Sequence, residues 1–398
     1  MKDKLKVKVG PSRLLDMMEF KNIPRRRDRA IEASPDMPID ADFRINDNAR
    51  LLHPRVQKMV VVKTVEHQEA DSRTLVLKKA DGSLATWFHA GQFVSVRFMT
   101  DRGVFSRPYS MVSSPAETKE GIISITVKRK GDGYVSSFAM NGVKEGDRVL
   151  VSEPCGQFFH DSLRDSSNVV AVAGGSGITP FMSMARAIRD GVEDFNLTIL
   201  YGSRTWDSVL FRKELEEIAA QTGRVRVINV LSDEEHADSL HGLINSDIIR
   251  RYAPEDYSLF ICGPEGLHRH MDEVVMELGL PPRRVRREAV GIPPADAEEK
   301  IFYVRVIQGP VEHMITASSR ETLLGAMEWA GIRVPSRCRT GECGWCRSLL
   351  LSGKVRMPGQ NDRRRSVDRK TGRIHPCCSF PASDLVIEIP ADDMDADF

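Results

Sequence analysis

Cys338, Cys343 and Cys346 stand at C-x4-C-x2-C spacing, and Cys377 follows after thirty further residues with Cys378 beside it. Two irons bridged by two sulfides need four thiolates, and this spacing supplies them. Gly341 and Gly344 fall inside the loop. A chain that wraps a cluster needs positive-φ positions, close backbone approach and amide N–H groups turned toward sulfur. Zinc and inert buried thiols are the competing readings. Zinc sites favour C-x2-C pairs or histidine partners, and only Cys343/Cys346 makes such a pair. On spacing alone the fourth thiolate is Cys377 or Cys378. Cys155 and Cys262 bring the total to seven, with five crowded into the last sixty-odd residues. An odd, lopsided set in a long chain points to ligation rather than to a disulfide scaffold.

A second group of residues is suited to a flavin. FSRPYSMVSSP carries Arg107-Pro108-Tyr109-Ser110. A flavin asks for a cation at its phosphate, an aromatic ring over the isoalloxazine, and a small hydroxyl near N5, where hydride arrives. One strand supplies all three by alternation, with Arg107 and Tyr109 on one side and Ser110 on the other. An ordinary amphipathic strand would read much the same. Further on, Gly133-Tyr134-Val135-Ser136 opens a short helix whose first amides and Ser136 could hold a pyrophosphate. That favours FAD and leaves FMN open.

A third group concerns a dinucleotide. The apolar run NVVAVA leads into Gly174-Gly175-Ser176-Gly177-Ile178-Thr179-Pro180 and then a helical pattern. Glycines let backbone approach a pyrophosphate, whose charge a helix N-terminus favours. Thr179 suits an N-cap and Pro180 the first helical position. Cys262-Gly263-Pro264 ends another apolar run, YSLFIC, where a plain buried cysteine is the competing reading. Asp233, in VLSDEE, would repel a 2′-phosphate but accept from a ribose hydroxyl, which predicts NADH. Arg204, in YGSRT, argues the other way, since a guanidinium could meet that phosphate.

Residues 301–398 resemble a plant-type ferredoxin, with PSRCRTGECGWC as the cluster loop and CCSFPASDLVIEI closing the unit. In that family the fourth ligand precedes a proline by four residues, which selects Cys377 through Pro381. The basic stretch NDRRRSVDRKTGR between the third and fourth ligands departs from the family, as a solvated loop or a docking patch. Residues 57 to about 290 resemble the flavin and nucleotide domains of the ferredoxin–NADP reductase superfamily. The motifs concerned are R-x-Y-S, Val127-Lys128-Arg129 before the Gly133 loop, G-G-x-G-[IV]-[TA]-P and Cys-Gly-Pro. The resemblance implies that Lys128 lies at the cofactor, and that Cys262 lies near the nicotinamide carbon yielding hydride. Leu267 replaces the family's methionine.

The elements that must position these residues follow from local pattern. VQKMVVVKTV, TLVLKK, GQFVSVRF and GIISITVKR are β-rich runs between Gly, Asp and Ser turns, predicting an antiparallel β-barrel flavin domain over 57–160. Over 161–290, short apolar runs alternate with helical patterns; Phe181, Met184, Ala185 and Ile188 keep helical spacing. An α/β parallel-sheet nucleotide domain is expected. GIPPADAEEK, 291–300, reads as a linker. Over 301–398 a hairpin (IFYVRVIQ, VEHMITA), a capping box at Ser318–Glu321, a helix to Gly331 and a late strand, DLVIEI, form an α+β unit, for which the resemblance implies a β-grasp ferredoxin fold. Residues 1–56 are polar and irregular, with a short helix expected over Gly10–Phe20. They read as an extension packed on the body or as a partner-docking arm.

The multidomain reading suits 398 residues. A formal charge of +1 gives no bulk signal for nucleic acid. No apolar run reaches the roughly 20 residues of a membrane span, and the charged start MKDKLKVKVG has no secretory h-region, so the cytoplasm is expected. The groups together predict an NADH-dependent reductase. NADH passes hydride to the flavin beside Ser110 and Cys262, and electrons then leave singly through the cluster to a one-electron-accepting protein. The order of domains resembles the reductase components of oxygenases and of hybrid-cluster proteins. A non-catalytic electron-transfer subunit of a larger redox complex is the alternative.

Overall fold

The computed structural model describes residues 56–131, 133–289, 298–358 and 362–390, with Arg26, Arg29 and Ala33. The expected helix over Gly10–Phe20, most of the N-terminal extension and most of the linker lie outside the described residues.

Strands β1 (Val56–His67), β2 (Ser72–Lys79), β3 (Phe93–Thr100), β4 (Gly103–Ser110), β5 (Ile122–Lys128) and β6 (Arg148–Ser152) form one antiparallel sheet in the order β4-β3-β6-β1-β2-β5. Alternation decides which face turns inward. Met59 and Val61, Leu75 and Leu77, Val94, Val96 and Phe98, and Ile123, Ile125 and Val127 are two residues apart and buried in one core. Burying each large side chain contributes roughly 1.5–3 kcal/mol. The two edges meet beyond β4, where Met111 bridges Ile125 and Val112 N–H donates to Ser124 O at 2.8 Å. That contact closes the sheet into a barrel and leaves the end of β4 at its mouth. Helix α1 (Tyr134–Asn141) sinks Val135, Ala139 and Met140 into the same core.

The second sheet is parallel throughout. Its strands are β7 (Asn168–Gly174), β8 (Asn196–Ser203), β9 (Val225–Leu231), β10 (Leu240–His241), β11 (Ser258–Gly263) and β12 (Val285–Ala289), in the order β10-β9-β8-β7-β11-β12. Apolar side chains on both faces explain the continuous apolar runs. One face packs on α2 (Thr179–Arg189) and α3 (Arg212–Thr222), the other on α4 (Ser246–Tyr252) and α5 (Glu265–Leu278). The chain fills one side of β7 and then returns to β11 on the other. The loops after β7 and β11 therefore share the crevice where ligands of such sheets bind.

The third unit holds β13 (Ile301–Gln308), β14 (Val311–Ser318), α6 (Leu323–Trp329), β15 (Ser348–Ser352), β16 (Val355–Arg356), α7 (Ser366–Lys370), β17 (Arg373–Ile374), β18 (Phe380–Pro381) and β19 (Leu385–Glu388). Its main sheet runs β14-β13-β19-β15-β17, with β13 and β19 parallel. Helix α6 covers it through Leu323, Leu324 and Met327. The expected hairpin is β13/β14.

Two local expectations need correction. The cap of α6 is Thr322, whose Oγ1 accepts from Gly325 N–H at 3.2 Å. Ser318 and Glu321 instead close a turn before it, through Ser318 N–H to Glu321 Oε1 at 3.1 Å. Thr179 is already helical, so Ile178 occupies the cap position and the Thr179 hydroxyl donates to Ser176 O at 3.0 Å. A single 3-10 turn over Gly175–Ile178 feeds directly into α2 and takes over the cap's task. Among the described residues no helix is long and apolar enough to cross a membrane.

Candidate functional site: a hydride site and a thiolate loop joined on one strand

The loop 338–346 contains three positive-φ residues, Arg339 (56°), Gly341 (83°) and Gly344 (67°). The turns they make aim amides at sulfur. Thr340 and Cys343 N–H donate to Cys338 Sγ at 3.5 and 3.4 Å, and Trp345 N–H donates to Cys343 Sγ at 3.4 Å. Such donors favour thiolates. The thiols touch in pairs, Cys338 with Cys343, and Cys377 with both Cys338 and Cys346. Among the described residues no three His, Cys, Asp or Glu side chains gather as a single-ion site. Four adjacent thiols, Cys338, Cys343, Cys346 and Cys377, are the donor set that a [2Fe–2S] cluster would take. Cys378 touches Cys377, but it is fully buried in the apolar core and its thiol donates to His375 O at 3.4 Å.

Ser110 and Cys262 come together although they belong to different sheets. What joins them is Glu288 on β12, directly across from Cys262 in the parallel pairing. Ser110 Oγ donates to Glu288 Oε2 at 3.2 Å, and Cys262 Sγ lies 4.0 Å from the same oxygen. Burial pushes the Glu288 carboxyl up to about 8; the Ser110 hydrogen bond opposes this, and the Glu342 charge adds to it. Burial, then Glu288, likewise raises the Cys262 thiol. Glu288 and Glu342 face one cavity of about 520 Å³, together with Phe158, Arg164 and Arg287. The cavity thus draws on all three units.

The sign of the Glu288 shift can be tested. Below pH about 8 the carboxyl holds its proton; the unfolded chain would release it near 4.5. Its contribution to stability is therefore full below the unfolded value and is lost as pH rises through about 8. An ionised Glu288 would also put a negative charge 3.2 Å from the Ser110 hydroxyl, where the sequence motif predicts that hydride arrives. Flavin reduction by NADH is expected to slow as pH rises through about 8. Glu288→Gln should remove that break in a stopped-flow pH profile.

The flavin motif is held as alternation requires. Arg107 and Tyr109 pair with Val96 and Val94 of β3, two positions apart. Burial raises the Tyr109 phenol to about 12, so it stays neutral. Arg107 Nη1 donates to Ser106 O and to Glu328 Oε2, both at 2.8 Å. Its Nε and Nη2 carry no hydrogen bond among the described residues, which leaves an edge for a phosphate. Gly133 is the N-cap of α1. Ser136 Oγ donates to Gly133 O at 2.8 Å and accepts from Lys130 N–H at 3.2 Å, so this hydroxyl also braces its own loop. Pro108 and Val135 carry no such polar role; Pro108 lies within β4, and Val135 is buried core.

On the nucleotide side, Gly177 must be glycine. A Cβ there would stand 2.1 Å from Cys262 O and 2.7 Å from Gly263 Cα. The two motifs are therefore in contact, and the chain of Gly174–Pro180 lies directly against Cys262–Pro264. Gly175 has φ +52°, and a Cβ on it would lie 3.6 Å from Lys128 Nζ. Lys128, carried by the barrel, thus points its ammonium at this loop, where anionic phosphates fit. Asp233 does not stand alone. Arg204 Nε donates to Asp233 Oδ2 at 2.8 Å, so the two arguments over the 2′ position are one ion pair.

The third unit seats its loop on the barrel through residues that sequence reasoning passed over. Glu328 of α6 accepts from Arg107 Nη1 at 2.8 Å, Arg339 Nη1 at 2.7 Å and Ser106 N–H at 3.2 Å. Arg339 Nη1 also donates to Ser106 O at 3.0 Å. Burial raises the Glu328 carboxyl, but Arg339 and Arg107 outweigh that and hold it below its ordinary range. On the other side of Cys338, Arg337 bonds Glu153 and lies 3.5 Å over the Trp345 ring. Trp329 packs on Phe105 and Tyr134 with ring centroids 5.1 and 5.4 Å apart. A signal for Glu288 was present, since it ends a strand at the edge where ligands of parallel sheets bind. Glu328 and the arginines flanking Cys338 gave none, because the Glu153 partner of Arg337 is more than 180 residues away and the Ser106 and Arg107 partners of Glu328 more than 220.

Comparison with known proteins finds a family match within each of the three units. Residues 59–160 match the oxidoreductase FAD-binding domain family, 171–273 the oxidoreductase NAD-binding domain, and 306–382 the 2Fe-2S iron-sulfur cluster binding domain. The ferredoxin reductase component of 3-ketosteroid-9-alpha-monooxygenase from Mycobacterium tuberculosis is 31% identical over 358 residues, covering 84% of this chain and 96% of that protein. The glycine betaine monooxygenase reductase subunit of Chromohalobacter salexigens is 28% identical, covering 78% and 89%. Among solved structures, phthalate dioxygenase reductase superposes with a TM-score of 0.63 at 25% identity, covering 84% of this chain and 98% of that one.

Proposed function

Because the chain belongs to the flavin-dependent reductases of the ferredoxin–NADP reductase superfamily that carry a C-terminal [2Fe–2S] domain, we propose that it feeds electrons to the oxygenase component of a two-part oxygenase. The chain is an FAD-, NAD- and [2Fe–2S]-dependent oxidoreductase that transfers electrons from NADH to a partner protein. The oxygenase as recipient is supported by the relatives, which are named as reductase components of monooxygenases.

The flavin and the cluster supply the chemistry, turning one two-electron donor into two single-electron deliveries. The chain's own residues orient and insulate. In this reading Ser110 presents its hydroxyl where hydride arrives, Cys262 packs against the nicotinamide, and Glu288 holds both in place as a neutral carboxyl. Arg107 takes the flavin phosphate on its open edge. The α1 N-terminus with Gly133 and Ser136 faces the rest of the cofactor. Gly174–Pro180 and Lys128 receive the pyrophosphate of NADH. Cys338, Cys343, Cys346 and Cys377 ligate the irons. The division into three units is supported by their three main sheets, with Ala70, Ala90, Val112 and Phe158 of the barrel packing into the core of the nucleotide unit.

The observation that carries the reading is the convergence of Ser110 and Cys262 on Glu288 Oε2, at 3.2 and 4.0 Å, at the end of the strand whose Ser106 carbonyl accepts from Arg339 in the loop of thiols. Anaerobic titration with NADH, read by visible absorbance and EPR, tests it. Flavin bleaching followed by a rhombic reduced-cluster signal is expected. Bleaching without that signal would overturn the relay.

Cofactor preference gives a separate test. In this reading Asp233 both repels a 2′-phosphate and occupies Arg204. Asp233→Ala frees the guanidinium, and the NADPH-to-NADH ratio of kcat/KM is expected to rise about tenfold. An unchanged ratio would move the selection to other residues.

A further inference from the structure

Glu328 is a carboxylate with only 5% of its side chain exposed, and it is shared between two units of the protein. Its donors are the Ser106 amide and the guanidinium groups of Arg107 and Arg339. Arg339 adjoins Cys338 in the chain, while Arg107 and Ser106 lie on the strand that ends in Ser110. Two cations and one anion leave a net charge of +1. Arg107 spends Nη1 on Glu328 and keeps its other edge for a second anion, which the flavin phosphate would provide.

We propose that Glu328 is the positioning residue that registers the loop of thiols against the flavin, by tying Arg339 to Ser106 and Arg107. The proposal rests on the reductase reading above. A buried carboxylate between two guanidiniums is costly to break, because removing it leaves like charges facing each other out of water. Without it the loop keeps Arg337 and Glu153 as an anchor on one side of Cys338, and on the other keeps only the Arg339 bond to Ser106 O. Electron transfer decays steeply with distance, so a small retreat of Cys338 slows the step from flavin to cluster and leaves hydride transfer alone. Electron balance is unaffected: each NADH brings two electrons with its hydride, and each cluster accepts one of them.

The test is Glu328→Gln in the full chain loaded with flavin and cluster, which keeps the shape and removes the charge. After anaerobic mixing with NADH, flavin bleaching should match the parent, while cluster reduction slows about tenfold or more. Deuterium uptake over residues 337–345 should quicken, a readout independent of turnover. If E328Q does not fold, Arg339→Lys decides the matter: it keeps the charge, loses the planar fork, and should slow the same step more mildly with the cluster EPR signal intact. Cluster reduction at the parent rate in either folded variant, with both groups bound, would overturn the proposal. A parent protein that binds no flavin or no cluster would instead overturn the reductase reading.

Discussion

Cys377→Ala is expected to yield a protein that NADH still bleaches at the flavin but that shows no reduced-cluster EPR signal, with transfer to a protein acceptor falling to background. Cys377 touches both Cys338 and Cys346, and under the proposed ligand set its loss would leave the cluster one thiolate short. Cys378→Ala should retain the signal. Its thiol sits in the apolar core and donates to a backbone carbonyl, and a small cavity there costs about 1 kcal/mol. The pair of variants separates two neighbouring thiols that spacing alone leaves equivalent. The reverse pattern, a cluster lost with Cys378 and kept without Cys377, would reassign the fourth ligand.

Ser110→Ala should slow single-turnover flavin reduction at saturating NADH about a hundredfold, the usual cost of removing one preorganised donor from a reacting centre. The concentration of NADH that half-saturates the reaction should hardly move, since Gly174–Pro180 and Lys128 are untouched. Cluster reduction would then follow flavin reduction without lag, because the earlier step has become limiting. A Ser110→Ala protein that bleaches at the parent rate would remove this hydroxyl from the hydride site and leave Glu288 and Cys262 without a barrel partner.

Much of this was legible in the chain itself, for reasons that differ by element. Period-two burial in Gln57, Met59 and Val61 and continuous burial in β7 are local consequences of one-sided and two-sided sheets, so strand type could be read directly. The need for glycine at 177 is also local in kind, although its cause, the Cys262 carbonyl, lies 85 residues on. Caps were harder. Ser318–Glu321 has the residues of a capping box, but Thr322 begins the helix, because the turn absorbs the serine first. Thr179 failed as a cap for a related reason, the preceding 3-10 turn. Least legible were the residues that join units. Glu328 looks like one more polar position in ETLLGAMEWAG, and only the arrival of Arg107 and Arg339 makes a buried carboxylate tenable there. A sequence shows the period of a face but not which distant cation will meet it.

Strand β4 has a consequence for how such chains can be rebuilt. Its first residues pack under Trp329, its middle receives Glu328 and Arg339, and its last residue, Ser110, reaches Glu288. The third unit is thus not an interchangeable plug. A chimera that grafts a foreign ferredoxin onto this barrel would have to bring an acid at the place of 328 and a guanidinium at 339, or else leave Arg107 with no counter-ion behind it. Conversely, a donor unit chosen for those two residues alone already carries most of the instructions for its own seat.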